Sequence, residues 1–124
     1  MRITVATCQF PVDAEIRRNA EYVYRQMRMA KSRGARVAHF PECALSGYAG
    51  TDLGSFKEFD WRLLQECTSA VLALARELRL WVVLGSTHRL TGRHKPHDSL
   101  YVITDRGELL DRYDKMFCTG DAAA

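Results

Sequence analysis

Two short stretches of the sequence combine residue types that can carry out acyl chemistry. The first, "HFPECALSGYAG" from His39 to Gly50, sets a carboxylate, Glu42, beside a thiol, Cys43, directly after an apolar run. The second, "DRYDKMFCTGD", places an amine, Lys115, three residues before another thiol, Cys118. A carboxylate at the C-terminal end of a central strand lies where α/β sheets build their sites. Partial desolvation there raises a carboxyl pKa, which would suit Glu42 to work as a general base. The plainer alternative is a glutamate capping the following turn. A lysine held in a cleft can stabilise a developing oxyanion as a fixed positive charge, although most lysines are simply solvated. Neighbouring residues leaving a strand point to opposite sides. On that ground Cys43 faces away from Glu42 and reads as a buried structural thiol. Cys118 is the internal candidate nucleophile, because a nearby cation can lower a thiol's pKa. Tyr48 leaves the same strand end as Glu42 and is expected either near the site or in packing.

These residues need elements to hold them. "RITVATCQF" is nearly continuous apolar sequence with β-branched residues, the pattern of a strand buried on both faces. The period then changes. Ile16, Ala20, Val23, Met27 and Ala30 are spaced 4, 3, 4 and 3 residues apart, which draws one apolar stripe along a helix. Asp13 is the expected N-cap, Glu15 suits the positive end of the helix, and Gly34 suits its stop. "ARVAHF" reads as a second short buried strand ended by Pro41, completing a βαβ unit with parallel strands. The loop that follows is long and rich in glycine and small residues, as site-bearing loops tend to be. A second helix is expected from Trp61 to Leu78, with Leu64, Cys67, Val71, Leu74 and Leu78 on its apolar stripe. "LWVVLGSTH" reads as another buried strand. "DSLYVITDRGELLDRYDK" reads as two strands around Asp105, Arg106 and Gly107, an antiparallel hairpin. The sum is an α/β fold with a partly antiparallel sheet edge and helices over one face.

Bulk properties exclude several classes. A hydrophobic share of 47% with 27% charged residues is globular composition. The 124 residues fit one domain able to bury a core without disulfides. No apolar run approaches the roughly 20 residues of a membrane span, and the N-terminus lacks the pattern of a signal peptide. The sequence therefore reads as cytoplasmic. The net charge of +3 comes with basic residues on the first helix (Arg17, Arg18, Arg25, Arg28, Lys31) interleaved with Glu15 and Glu21. That is a solvated face rather than a nucleic-acid footprint. Cys8, Cys43, Cys67 and Cys118 have long, irregular spacings without a CxxC pair, so no disulfide or zinc framework is expected. His94 and His97 form a poor metal pair without further ligands.

"FPECALSGY" after a βαβ start, with "DRYDKMF" far downstream, resembles the nitrilase or carbon–nitrogen hydrolase superfamily. The similarity runs from the first strand through "LWVVLGSTHRLTGRHKPHDSLYVITDRGELLDRYDK" and covers essentially the whole chain in order. It implies part of an α-β-β-α sandwich, the N-terminal half of a nitrilase-like fold. It also implies a Glu–Lys–Cys catalytic set. Glu42 matches the glutamate that acts as general base, and Lys115 matches the lysine that steadies the tetrahedral intermediate. The family's nucleophilic cysteine and a further glutamate lie beyond the lysine, in motifs absent from these 124 residues. Where the family often has Asn-Ser after its His/Pro-rich turn, this sequence has Asp98-Ser99, which alters that turn's hydrogen bonding.

Residues 1–124 are thus expected to be an incomplete carbon–nitrogen hydrolase domain lacking its C-terminal part, inactive alone; the terminal "DAAA" brings no closing element. The resemblance implies a small-molecule amide, carbamoyl or nitrile substrate. It calls for no metal and no organic cofactor, and it suggests a homo-oligomer with no nucleic-acid or membrane partner. Two other readings stay open: a non-catalytic half-domain serving as an interaction or scaffold protein, and an acyl- or ammonia-transfer relative using the same chemistry.

Overall fold

The elements in chain order are β1 (Val5–Thr7), α1 (Ile16–Ser32), β2 (Val37–His39), α2 (Trp61–Leu78), β3 (Trp81–His88), β4 (His97–Ile103) and β5 (Leu109–Asp114). They come from a computed structural model that describes residues 1–91 and 93–118; the terminal "DAAA" lies outside the described residues. The strands form one sheet in the order β1-β2-β3-β4-β5. β1, β2 and β3 run parallel, while β4 and β5 are antiparallel additions. The β4–β5 hairpin turns through Thr104 to Glu108, as the Asp105-Arg106-Gly107 signal predicts.

Both helices follow from their apolar periods. The five stripe residues of α1 are all buried. In α2, Leu64, Cys67, Val71 and Leu74 are buried, and Leu78 is partly so. Asp60 caps α2 by accepting a hydrogen bond from the Leu63 amide at 2.9 Å, satisfying one of the free donors of the first turn. The start of α1 differs from expectation. Glu15 occupies the cap position without a side-chain bond. Asp13 instead accepts from the Glu15 amide at 2.7 Å and pairs with Arg18 at 2.6 Å. It thereby fixes the turn before the helix. Gly34 does end α1, in the left-handed conformation at φ +82°.

The core lies on one side of the sheet only. Ala38, Val82, Leu84, Tyr101 and Ile103 share a face in the register and join the stripes of α1 and α2 in one buried cluster. β1 and β2 are therefore not buried on both faces as their sequences suggest. β1 is an edge strand with Val5 54% exposed, and His39 of β2 is also exposed. Their continuous apolar character instead contributes to a second, open face. Val5, Val37, Trp81, Val83, Leu100, Val102 and Tyr113 lie on it by register, and all are partly or fully exposed.

Burying an aliphatic side chain is worth about 1.5–3 kcal/mol, and an apolar sheet face this broad drives association. The 124-residue chain produced alone is expected to self-associate, as read by sedimentation velocity. A compact monomer with a cooperative melt would contradict this expectation.

Candidate active site

The site begins with a break in the sheet ladder. Beyond the end of β2, the Phe40 amide still donates to the Val83 carbonyl at 2.9 Å. In an unbroken parallel ladder the Glu42 amide would bond next to the Gly85 carbonyl. The Leu45 amide takes that place, at 3.1 Å. Pro41 to Ala44 therefore loop out across the open face of β3, with Cys43 in the left-handed region at φ 53°. This crossing requires a residue without a side chain beneath it. A Cβ at Gly85 would lie 2.6 Å from the Cys43 nitrogen and closer still to the Pro41 carbonyl oxygen.

Polar bonds hold the far side of the turn. Ser46 Oγ accepts from the Thr87 amide at 2.8 Å. The fully buried Asn19 of α1 donates to the carbonyls of Asp13 at 2.8 Å and Leu45 at 3.2 Å. Helix, turn and strand are thus fixed to one another by buried groups with partners, which are expensive to disrupt.

Glu42 emerges from this turn toward the ends of β4 and β5. Its Oε1 accepts from Lys115 Nζ at 2.8 Å, joining positions 73 residues apart. Lys115 follows β5 directly, and its amide donates to the Asp98 carbonyl at 2.8 Å. Asp98, on β4, places Oδ2 at 3.9 Å from the same ammonium. Asp98 and Glu42 thus stand around one ammonium. Cys43 Sγ lies at donating distance, 3.5 Å, from Asp98 Oδ1. Two carboxyls, one ammonium and one thiol therefore meet at the end of the sheet.

Electrostatics divides these groups. Glu42 lies below the usual carboxyl range, because its hydrogen bonds with Asp98 and Lys115 outweigh desolvation. Its side chain is 44% exposed. The expectation of a pKa raised by burial therefore fails at Glu42, which is ionised at neutral pH. Asp98 is pushed up to about 6, first by burial and then by Glu42. Lys115 lies above its usual value chiefly through its bond to Glu42, with Tyr48 adding a smaller electrostatic contribution. Burial, followed by the charge of Asp98, pushes the Cys43 thiol well up. It stays protonated and is no nucleophile in this state.

A second polar chain anchors the strand that delivers Lys115. Arg112 clasps Asp114 at 3.0 and 3.3 Å, and Ser99 donates to Asp114 at 2.6 Å. Arg112 Nη1 lies 2.7 Å from His88 Nε2. Guanidinium can only donate, so Nε2 accepts and the neutral ring carries its proton on Nδ1. Nδ1 then donates to the Tyr101 hydroxyl at 2.7 Å. Burial and Arg112 hold His88 below its ordinary pKa, in keeping with that neutral form.

The structure thus brings Glu42 and Lys115 into direct contact. Cys43 is buried, as its bland reading holds, but it is not turned away from Glu42: both reach Asp98. Strand alternation does not apply past His39, where the chain has become a turn. Cys118 is exposed, with its thiol 3.9 Å from the Lys115 carbonyl. Among the described residues, no group of three or more His, Cys, Asp or Glu side chains is arranged to hold a metal ion. Sequence reasoning passed over Asp98 as a site residue and Gly85 as its support. A glycine inside an otherwise apolar strand was the available signal for close backbone approach.

Residues 4–119 match the carbon-nitrogen hydrolase family, and the chain belongs to it. Among solved structures it is similar to an amidase from Nesterenkonia sp., with a TM-score of 0.83 at 19% identity over 98% of this chain and 46% of that one. The NitN amidase from Nesterenkonia sp. AN1 gives 0.85 at 17%, over 99% of this chain and 49% of its own. A mutant of the AN1 amidase in complex with butyramide gives 0.84 at 17%, over 97% and 45%. The likeness establishes a shared nitrilase-type fold, and the chain spans about half the length of these amidases. No curated protein matches the sequence. No described helix is long and apolar enough to cross a membrane.

Alanine at Gly85 must either push the Pro41–Cys43 turn away or distort β3. Overpacking of this kind costs about 1–3 kcal/mol. Gly85→Ala is expected to lower the unfolding free energy by about that much in a urea melt. An unchanged midpoint would show that the turn does not depend on the close approach.

Proposed function

We propose that this chain is the N-terminal portion of a hydrolase that cleaves the non-peptide carbon–nitrogen bond of a small amide, carbamoyl compound or nitrile. The observation that carries the reading is the Glu42–Lys115 contact at 2.8 Å, formed across the sheet end within a carbon-nitrogen hydrolase chain. Support also comes from one solved amidase of similar fold, a mutant showing covalent addition of the acetamide moiety of fluoroacetamide at its active site cysteine.

In this reading the nucleophilic cysteine comes from chain beyond these residues. Glu42, ionised at neutral pH, takes the thiol proton as sulfur forms its bond to the substrate carbon. Lys115 offers a fixed positive charge to the oxygen, or to the nitrile nitrogen, on which negative charge develops. For an amide, the tetrahedral intermediate collapses by breaking the C–N bond, and Glu42 returns the proton to the leaving nitrogen. Water then adds to the thioester, with Glu42 accepting its proton, and the free acid and thiol are released. The scheme calls for no metal and no organic cofactor. A homo-oligomer, as the family resemblance implies, is part of the same reading. A cytoplasmic location is another part, supported by four free cysteines, since disulfides are rare in that compartment.

The test is amide hydrolysis by the full-length protein. Glu42→Gln and Lys115→Ala are each expected to lower kcat/KM by roughly a hundredfold or more, with the fold retained by circular dichroism. Undiminished activity in either variant would remove that residue from the mechanism. The 124-residue chain alone is expected to be inactive. Hydrolysis by that chain which vanished with Cys118→Ser would make Cys118 the nucleophile and overturn the assignment.

A further inference from the structure

Two carboxyl groups share one ammonium at the end of the sheet. Lys115 Nζ sits 2.8 Å from Glu42 but 3.9 Å from Asp98, so only Glu42 is fully compensated. The remaining surroundings of Asp98 supply no second cation among the described residues. Its register partner on β3 is the uncharged Thr87, the turn contributes the neutral Cys43 thiol, and the residue after β5 is Lys115 itself. The two carboxyl groups nevertheless stand around that one ammonium, close enough to act on each other's ionisation. Two ionised carboxylates cannot form a hydrogen bond and repel each other at such range. One proton taken up by the pair relieves that repulsion.

We propose that Asp98 and Glu42 hold a single shared proton, and that Asp98 is thereby a positioning residue that tunes the basicity of Glu42. The proton resides mainly on Asp98, because Glu42 is the nearer partner of Lys115. In this state the Asp98 hydroxyl donates to the Glu42 carboxylate, stabilising its charge and weakening it as a base. When Asp98 loses the proton, Glu42 gains a negative neighbour in place of a donor and its proton affinity rises. Asp98 titrates at about 6 rather than near 3.8, while Glu42 moves in the opposite direction. Such divergence is the behaviour of a carboxyl pair that ionises in two coupled steps. The site therefore has a charge-neutral form at acid pH and a more basic form above it.

The consequence for rate rests on the reading of Glu42 as a general base, whereas the shared proton does not. The two are separated by carboxyl-carbon NMR of the full-length protein labelled at aspartate. One aspartate resonance is expected to titrate at about 6 or above. It should be missing in Asp98→Asn, and in Glu42→Gln it should move down toward the ordinary aspartate range, because its negative neighbour is gone and Lys115 is freed. If Asp98→Asn does not fold, the downward shift in Glu42→Gln identifies the resonance instead. Asp98 titrating near 4, or a midpoint unmoved by Glu42→Gln, would overturn the shared proton. In the second arm, kcat/KM for amide hydrolysis is expected to rise with pH through the same midpoint. Asp98→Asn should lose that limb, because asparagine donates a hydrogen bond at every pH and cannot ionise. A shifted resonance in a protein that hydrolyses no amide would support the shared proton and refute the hydrolase reading. Hydrolysis whose rising limb survives Asp98→Asn would refute the tuning role.

Discussion

The crossing of Pro41 to Ala44 over β3 controls everything that follows it in space. A backbone can lie against a strand this closely only where the strand presents a hydrogen atom instead of a side chain, and Gly85 is that place. Once the turn is seated, the Leu45 amide bonds the Gly85 carbonyl, and Ser46 engages Thr87 two residues along the strand. Glu42 is then carried past β3 toward β4 and β5, where no residue of β2 itself could reach. The left-handed backbone at Cys43 is part of the same arrangement. Such a conformation costs roughly 1 kcal/mol or more in a residue other than glycine. It persists because the buried bonds around it fix the turn on both sides.

The second requirement is that β5 hold still. Its outer residues are exposed, and β5 is the last strand of the sheet. A flexible edge would let Lys115 swing away from Glu42, since a lone exposed ion pair contributes little. The Asp114–Arg112–His88–Tyr101 chain supplies stiffness on the helix side of the sheet, tying β5 to β3 and β4 through partly buried groups. The Lys115 amide also bonds the Asp98 carbonyl, extending the β4–β5 ladder past Asp114. The ammonium is thus delivered to Glu42 by a strand end secured through side chains on the helix face and through the backbone ladder, and the ion pair follows from that placement.

Much of the fold was legible because helix periodicity depends on local spacing. The α2 range and the five buried apolar positions of α1 follow from counting apolar residues along the chain. Burial of strands was less legible. "RITVATCQF" has the composition of a strand covered on both sides, and composition cannot say that one side is left open in the described residues. Glu42 and Lys115 could be singled out from their motifs, but their contact depends on strand order and on Gly85. Asp98 drew notice only as a departure in a turn. Its importance arises from three chain segments converging, which no local pattern records. The expected rise in the Glu42 pKa failed for the same reason: position at a strand end suggests desolvation, while the partners that reverse its effect come from β4 and β5.

The site and the uncovered apolar face lie on the same side of the sheet, which links association to chemistry. Glu42, at 44% exposed, still shares its charge with water. Covering that face with a further layer of protein would remove water from the cluster. Desolvation opposes isolated charges but leaves a close, oppositely charged pair far less affected, since attraction strengthens as the local dielectric falls. Glu42 and Lys115 form such a pair at 2.8 Å. Asp98, 3.9 Å from the same ammonium and already raised by burial, does not. Deeper burial would therefore act unevenly, leaving the Glu42–Lys115 pair charged while binding the proton on Asp98 more tightly. Such a layer would thus act on Asp98 and on the Glu42–Lys115 pair in opposite senses.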